Sequence, residues 1–474
     1  MDGRYQTQPI NLPLREVEED AAVIEPSNSV SVQPTPPNGG YGWVCTLSVF
    51  LINAHTWGIN SSWAVIMAHL STQSDQIKTT HFQWALVGGI SISQALLISP
   101  IVNPLINFMG LRMTLIIGTK LVFVSLLASS FATQFWHLFL SQGICFGWGM
   151  GLTYIPASVI LPSWFSTRRS LAVGISASGA GLGGLVYSLV ANSAIQKFDV
   201  SWTYRILAFC SLAANSVASA LIKVAGNGTH MRPTNPPFRF GDFRRVEIPL
   251  VVLWGMATDL GYITLLYTIP SYSSSIGLTP TQGSIANAMF NLGLGLGRPI
   301  IGYLSDAFGR INMAMTMASL CALLCFAIWI PANSFGVVVA FSFLVGPLCG
   351  AFWASVHPVL AEVVGLPRLA NTFSIICLSL VIPTTFAESI AMQLVMSNPD
   401  RPSSTSASYL RTQVFVGCMF LTGSLSLWLL RAWRAWKMSA NEAQVGERLS
   451  ASGLGPATGG SWLKPRFLFG LWKV

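Results

Sequence analysis

Long uncharged apolar runs dominate this sequence. A helix needs about twenty consecutive apolar residues to cross the hydrocarbon core of a bilayer. Only 9% of the 474 residues are charged, whereas soluble domains have about 25%. Twelve runs of suitable length follow one another, at about 43–66, 82–106, 112–132, 136–161, 170–193, 203–223, 247–270, 283–304, 312–331, 335–361, 370–395 and 411–431. The sequence therefore predicts an all-α membrane protein with twelve transmembrane helices.

The twelve runs form two groups of six that resemble each other. The loop after the second run contains Asn-Phe-Met-Gly110-Leu-Arg, and the loop after the eighth contains Asp-Ala-Phe-Gly309-Arg, so the two glycines are 199 residues apart. Duplicated halves around a midplane cavity are typical of secondary transporters that rock one half against the other. We expect a disordered cytoplasmic tail, a first six-helix half, a cytoplasmic linker, a second, pseudo-symmetric six-helix half and a cytoplasmic tail, at 1–40, 41–223, 224–246, 247–432 and 433–474.

The distribution of lysine and arginine predicts the orientation in the membrane. Basic residues concentrate in the cytoplasmic loops of membrane proteins. If the N-terminus is inside, the inner segments hold nineteen basic residues and the outer loops hold four. We therefore expect both termini in the cytoplasm and, with no other targeting signal to read, a multi-pass protein of the plasma membrane. Asn60 lies within a span and Asn227 lies in the inner linker, so no glycosylation is expected.

Arg298 is the one charged residue between Ile285 and Leu304 in the eighth run. On insertion scales, an arginine at the centre of a membrane helix costs about 2.5–3.5 kcal/mol, so such residues usually serve a function. Asn287 and Asn291 precede it by eleven and seven residues, which places the three polar side chains on one face of a helix. We predict a site for an anionic group at Arg298. The alternative is that Arg298 extends to the cytoplasmic headgroups.

Two acidic residues lie within other runs. Asp259 is in the middle of the seventh run, and Glu388 is in the eleventh. An ionisable group inside a membrane can relay protons or bind a solute, so both are candidates for proton coupling, and Asp259 is also one for substrate binding. The alternatives for Asp259 are a static pair with Arg298 or a hydrogen bond between helices. The alternative for Glu388 is an outward-facing position. His55 in the first run is a third candidate for proton coupling, because histidine titrates near neutral pH, with simple packing as its alternative.

Other polar and aromatic residues of the runs complete the predicted cavity. The candidates for substrate binding are Arg298, Asn291, Asn287, Asp259, Tyr262, Tyr154, Asn60, Ser61 and Trp353.

The six histidines are scattered over different segments and form no catalytic or metal-binding set. The segment 179–184 matches the G-x-G-x-x-G dinucleotide pattern, but it lies within an apolar run and not after a strand. We therefore expect no enzyme activity, no cofactor and no metal. The expected partners are a small organic-acid solute, protons and the lipid bilayer, with no nucleic acid.

The loop after the eighth run resembles a known signature. Gly302-Tyr-Leu-Ser-Asp306-Ala-Phe-Gly309-Arg310 is similar to the G-x-x-x-D-x-x-G-R loop motif of the major facilitator superfamily. The copy in the first half has asparagine at the glycine and aspartate positions. The resemblance implies the superfamily's fold of two six-helix halves and a gating role for these four motif residues. The charges of Asp306 and Arg310 suit contact with the end of a neighbouring helix.

Further motifs resemble the monocarboxylate porter family, in its fungal branch. Pro37-Asn-Gly-Gly-Tyr-Gly-Trp43, before the first run, is similar to the motif that opens the first helix in that family. The blocks 147–156, 164–179 and 297–302 match the family as well, so the resemblance extends from about residue 37 to 432.

Two departures from the animal members of this family bear on the substrate. Those members carry a lysine in the first run and an aspartate one turn before the arginine of the eighth run, where this chain has Ser61 and Leu294. The resemblance therefore implies an anion site at Arg298 without two groups associated with proton-coupled lactate transport.

We predict a secondary active transporter that moves an organic anion or weak acid by alternating access. The expected solute is a bulkier carboxylate or a fungal secondary metabolite, and the expected direction is efflux. The alternatives are a proton-coupled importer of small monocarboxylates and, in another class, a non-transporting nutrient sensor with the same fold.

Overall fold

The structure is a computed structural model that describes residues 36–72, 81–225, 244–395 and 406–449. In these ranges the chain forms helices and no strand. The helical segments, which we number α1 to α12, are α1 (Gly42–His55 and Trp57–Thr72), α2 (His81–Leu97 and Ser99–Met109), α3 (Leu111–Ser129), α4 (Phe135–Trp164), α5 (Arg169–Lys197), α6 (Val200–Leu221), α7 (Glu247–Ser275), α8 (Pro280–Phe308), α9 (Arg310–Trp329), α10 (Phe335–Val363), α11 (Leu366–Leu394) and α12 (Leu410–Leu449). Each predicted run corresponds to one of them.

The segments differ in how well they suit a bilayer. Of the described helices, nine are long and apolar enough to cross a membrane, and α2 is a tenth if its two parts, bent by 47°, count as one span. Segments α1 and α8 fall outside this set. The first is broken at Thr56 into helices of 14 and 16 residues, and the second carries the asparagines, glycines and arginine noted above. Both line the central cavity described below, where polar groups face the cavity and not the lipid.

Parts of the predicted domain plan lie outside the described residues. These are most of the tail 1–40, most of the linker 224–246 and the end of the tail 433–474. Helix α12 continues to Leu449, and its apolar span reaches Ala440, so the beginning of the second predicted tail is helical. Trp433, at the start of that predicted tail, is 6% exposed and packs in the apolar core.

Helix α8 is capped at both ends by its own sequence. The hydroxyl of Thr279 accepts a hydrogen bond from the N–H of Gln282, whose side chain accepts one from the N–H of Thr279. This capping box satisfies N–H groups that the first turn leaves free. Pro280 takes the first helical position, where no N–H is needed. The helix ends at Gly309, whose φ of 100° is accessible mainly to glycine.

The two halves of the bundle meet along two helix pairs, α5 with α8 and α2 with α11. A Cβ added to Gly181 of α5 would lie 2.6 Å from the backbone nitrogen of Gly295 in α8. In the other pair, a Cβ on Gly89 would lie 2.9 Å from the carbonyl oxygen of Thr385. Small residues allow such close backbone contact, and close contact matters in lipid because burial of apolar surface does not drive helices together there. The glycines of 179–184 thus pack helices, as their place in an apolar run suggested.

Replacing Gly181 with alanine is expected to strain the contact between the halves. The added methyl group has no room, and overpacking of this kind lowers the free energy of unfolding by about 1–3 kcal/mol. The matched control is Gly336→Ala in α10, where a Cβ would meet no atom within 4 Å. Thermal unfolding of the protein in detergent compares the two variants. Equal midpoints for both would contradict the close packing of α5 on α8.

Candidate functional site

A cavity of about 550 Å³ lies between the two halves. Its size falls within the range of small-molecule binding sites. The charged residues that line it, Arg298, Asp259 and Glu388, all belong to the second half. The first half contributes only uncharged side chains to the lining: Asn53, Trp57, Asn60, Ser61, Ala64, Met67, Ile92, Tyr154, Ala177 and Ala180.

Arg298 is buried at the wall of this cavity, with 3% of its surface exposed. Its Nη1 donates to the carbonyl oxygen of Ala177 in α5 at 2.6 Å, and its Nε donates to that of Gly350 in α10 at 3.3 Å. No described carboxylate lies within 4.0 Å of it. The side chain therefore points into the bundle and not to the headgroups, and only neutral carbonyls compensate its charge.

The two asparagines of the same helix also line the cavity, as the predicted stripe requires. The Nδ2 of Asn291 donates to the carbonyl oxygen of Asn287 at 3.1 Å. The Oδ1 of Asn287 is buried and has no hydrogen-bond partner. Asn60 and Ser61 face them from α1, where Asn60 accepts a hydrogen bond from Ser91 at 2.7 Å.

Asp259 of α7 is 2% exposed and lines the same cavity. The Nε1 of Trp353 donates to its Oδ1 at 3.2 Å, while its Oδ2 is buried without a partner. Within the described ranges no cation lies within 4.0 Å of it, so the static pair with Arg298, given above as an alternative, is absent. The physical reason is that Arg298 donates instead to carbonyl oxygens of α5 and α10.

Three aromatic side chains of the cavity lining pack against one another. The ring centroid of Trp57 lies 5.5 Å from that of Tyr154 and 5.8 Å from that of Trp353, and the centroids of Tyr154 and Trp353 are 6.2 Å apart. Trp57 and Tyr154 come from the first half, and Trp353 comes from the second, so this aromatic cluster joins the two halves. Tyr262 lies along the wall, stacked on Phe290 with centroids 6.2 Å apart.

Glu388 and His55 occupy different environments. Glu388 of α11 lines the cavity and is 5% exposed, and it forms no hydrogen bond or ion pair with any described residue. The outward-facing position, given above as its alternative, is therefore not observed. His55 lies outside the cavity lining. Its Nδ1 is 2.8 Å from the carbonyl oxygen of Leu51, and its ring packs against Tyr187 of α5. His55 is on the face of α1 that contacts α5 and α6.

Beyond the aromatic cluster lies the arginine-rich end of the bundle, which holds Arg168, Arg169, Arg310 and Arg368. Here Asp306 accepts hydrogen bonds from the backbone N–H groups of Ser170 at 3.0 Å and Leu171 at 2.9 Å, at the start of α5. The positive end of a helix dipole favours an anion at this position. Gly302 lets α8 approach so closely that a Cβ there would overlap the carbonyl oxygen of Ser170.

Arg310 adds contacts on both sides of this junction. Its Nη2 donates to the carbonyl oxygen of Ser166 in the first half at 2.8 Å. The same guanidinium lies 3.6 Å from Asp306 and 3.8 Å from Glu362 in the second half. The motif of the second half therefore binds the first half through charged groups.

The copy of the motif in the first half makes weaker contacts. Asn103 donates to the hydroxyl of Ser374 at 3.3 Å and to the side chain of Asn371 at 3.4 Å in α11. Asn107, which takes the place of the aspartate, is exposed and forms no hydrogen bond with the described part of the chain. Only one of the two motif copies thus caps a helix of the other half.

Sequence patterns left several site residues unrecognised. Tyr267 lines the cavity eight residues after Asp259, and helical periodicity from Asp259 would have found it. Asn38 was noted only within a motif, yet its Oδ1 accepts from the N–H groups of Ser166 at 2.6 Å and Thr167 at 3.0 Å. No local pattern predicts that pairing, because the partners are 128 residues apart.

Comparisons with known proteins agree with this architecture. Residues 45–238 and 250–447 match the Major Facilitator Superfamily. The chain is similar to "Probable transporter MCH2" of Saccharomyces cerevisiae, with 31% identity over 432 residues that cover 90% of this chain and 89% of that protein. Among solved structures, the proton:xylose symporter XylE has a TM-score of 0.62 at 14% identity, covering 82% of this chain and 95% of that one. FucP, in the outward conformation, has a TM-score of 0.60 at 14% identity, covering 82% and 98%.

A helical bundle of two halves around a central polar cavity defines a multi-pass membrane transporter. With the matches above, the chain belongs to the major facilitator superfamily. The predicted fold and superfamily are confirmed, and the protein is a transporter and not an enzyme.

Replacing Asp306 with alanine is expected to weaken the junction at the arginine-rich end. Two N–H groups of α5 lose their acceptor, which lowers the free energy of unfolding by about 1–3 kcal/mol. Asn107→Ala, at the corresponding position of the first half, removes a side chain without such contacts and is the control. The midpoint of thermal unfolding in detergent, without solute, measures both. A larger loss for the Asn107 variant would contradict the asymmetry between the two motif copies.

Proposed function

We propose that this protein is a secondary active transporter of an organic anion whose carboxylate binds Arg298. The observation that supports this most is a buried guanidinium that lines a cavity and has no described carboxylate within 4.0 Å. An uncompensated charge is costly inside a protein. A carboxylate can pair with guanidinium through two parallel hydrogen bonds, which offsets this cost. The solute would thus complete the site.

The lining favours a bulky solute. The lining of the cavity of about 550 Å³ combines aromatic and aliphatic side chains with amides, one cation and two carboxyl groups, which suits a carboxylate with a large apolar body. We therefore propose a bulkier carboxylate, such as a fungal secondary metabolite, and efflux as the direction. The similarity of the motifs to the fungal branch of the monocarboxylate porter family supports the choice of a carboxylate.

Alternating access supplies the transport mechanism in this proposal. The aromatic cluster and the contacts of Asp306 and Arg310 close the arginine-rich end of the cavity. Rocking of one half against the other would separate these contacts and open that end while the opposite end closes. We propose that the arginine-rich end faces the cytoplasm, in the plasma membrane, because basic loops concentrate there.

A second candidate function is proton-coupled import of a small monocarboxylate. The two carboxyl groups that favour it are those of Asp259 and Glu388, which line the cavity and have no cation within 4.0 Å among the described residues. Either carboxyl group can take up a proton while the cavity is open to one side of the membrane and release it when the cavity is open to the other side. The absence of charge at Ser61 and Leu294 weighs against this candidate.

Removing the guanidinium is expected to abolish transport. In proteoliposomes supplied with a panel of monocarboxylates and bulkier organic acids, Arg298→Ala should reduce flux by about tenfold or more. Arg298→Lys keeps the charge but loses the paired hydrogen bonds, so its flux should be intermediate. The matched control is Arg205→Lys, because Arg205 packs over Phe131 and Trp202 outside the cavity. Normal flux in Arg298→Ala would refute the anion site, and no flux of any solute in the wild type would favour the nutrient sensor.

Proton coupling predicts a definite sign for the effect of pH. If a carboxyl group carries the proton inward with the solute, uptake should rise when the outside is more acidic than the inside, because loading occurs on the acidic side. Glu388→Gln or Asp259→Asn should remove this dependence, since an amide does not titrate. Flux is measured with and without the gradient in vesicles of each variant. If the flux of the wild type is the same with and without the pH gradient, proton-coupled import is excluded.

A further inference from the structure

Asp259 presents a hydrogen-bond acceptor that nothing in the described protein satisfies. One carboxylate oxygen accepts from the indole N–H of Trp353, and the other is buried without a partner. The residue lines the cavity, and only 2% of its surface is exposed. Buried acceptors are almost always paired, so the free oxygen indicates a donor that arrives with the solute or as a proton.

Arg298 presents the opposite case in the same cavity. It offers donors with no carboxylate to receive them, whereas Asp259 offers an acceptor with no cation or further donor nearby. The two groups do not pair with each other, since their charged atoms are more than 4.0 Å apart. A solute whose one polar group is a carboxylate would pair with Arg298 and would leave the free oxygen of Asp259 without a donor.

We propose that the solute is bifunctional, with a carboxylate for Arg298 and an N–H or O–H donor for Asp259. This inference rests on the proposed anion site. The solute class is then a hydroxy- or amino-substituted carboxylate whose apolar body contacts the aromatic cluster of Trp57, Tyr154 and Trp353. Asp259 is a specificity-determining residue in this arrangement.

The structure gives a physical reason for selectivity. A site built to bind a hydroxyl or amino group discriminates strongly against an analogue that lacks it, because its polar group is left unpaired. Here the solute's donor would meet the carboxyl oxygen of Asp259 that has no partner among the described residues. Trp353 orients the carboxyl group through its other oxygen, so the free oxygen is held in one direction.

The test compares three acids of one skeleton on the full-length protein in detergent. These are 3-phenylpropionate, which has no donor besides its carboxyl group, 3-phenyllactate, with a hydroxyl beside the carboxylate, and 3-(4-hydroxyphenyl)propionate, with a hydroxyl at the far end. Dissociation constants are measured by equilibrium binding for the wild type, Asp259→Asn, Asp259→Leu and Arg298→Lys. The ratio of constants within each variant is the readout, because it cancels any general loss of folded protein.

The expected result is that the wild type binds one of the hydroxylated acids about tenfold more tightly than 3-phenylpropionate. Asp259→Leu should reduce this ratio to about one, and Asp259→Asn, which keeps an acceptor oxygen, should retain part of it. Equal affinities for the three acids in the wild type, or an unchanged ratio in Asp259→Leu, would overturn the inference and leave Asp259 to bind only a proton. A failure of the proposed anion site gives a different result from a failure of the inference about Asp259. In that case Arg298→Lys would bind all three acids as tightly as the wild type does, or the wild type would bind none of them.

Discussion

A guanidinium buried among apolar helices and held by neutral carbonyls is the constraint on which this structure depends. The carbonyl oxygens of Ala177 and Gly350 bring α5, α8 and α10 together around Arg298. That arrangement requires small residues, because a Cβ at Gly350 would lie 3.1 Å from the Nε of Arg298. The proposed binding of an anion follows from the placement of this one charge beside the cavity.

The division of charge between the halves shapes the proposed cycle. Every charged residue in the cavity lining belongs to the second half, while the first half presents amides, a hydroxyl and aromatic rings. A solute held by Arg298 and Asp259 would therefore stay with the second half as the first half moves. In the proposed movement, the halves would separate at the hydrogen bond from Arg298 to Ala177 and at the ring contacts of Trp353, with no ion pair to break within the cavity.

The sequence predicts the helices and the stripe on α8 well, because both depend on local hydropathy and on helical spacing. It predicts less about pairing across helices. Asp259 and Arg298 were possible partners by charge alone, yet the rotation of α7 and α8 gives each a different neighbour. His55 was chosen by residue type alone, whereas its position on the face of α1 that meets α5 and α6 depends on how those helices pack. The aromatic cluster joins residues 57, 154 and 353, and no local pattern connects these positions.

Ser166 serves two partners of different kinds. Its carbonyl oxygen binds Arg310 of the second half, and its N–H binds Asn38 just before α1. When the arginine-rich end opens, the first of these bonds must break, whereas the second joins two parts of the same half and can persist. In the proposed opening, the residues just before α1 would therefore move together with the first half, because Asn38 fixes them to the α4–α5 junction of that half.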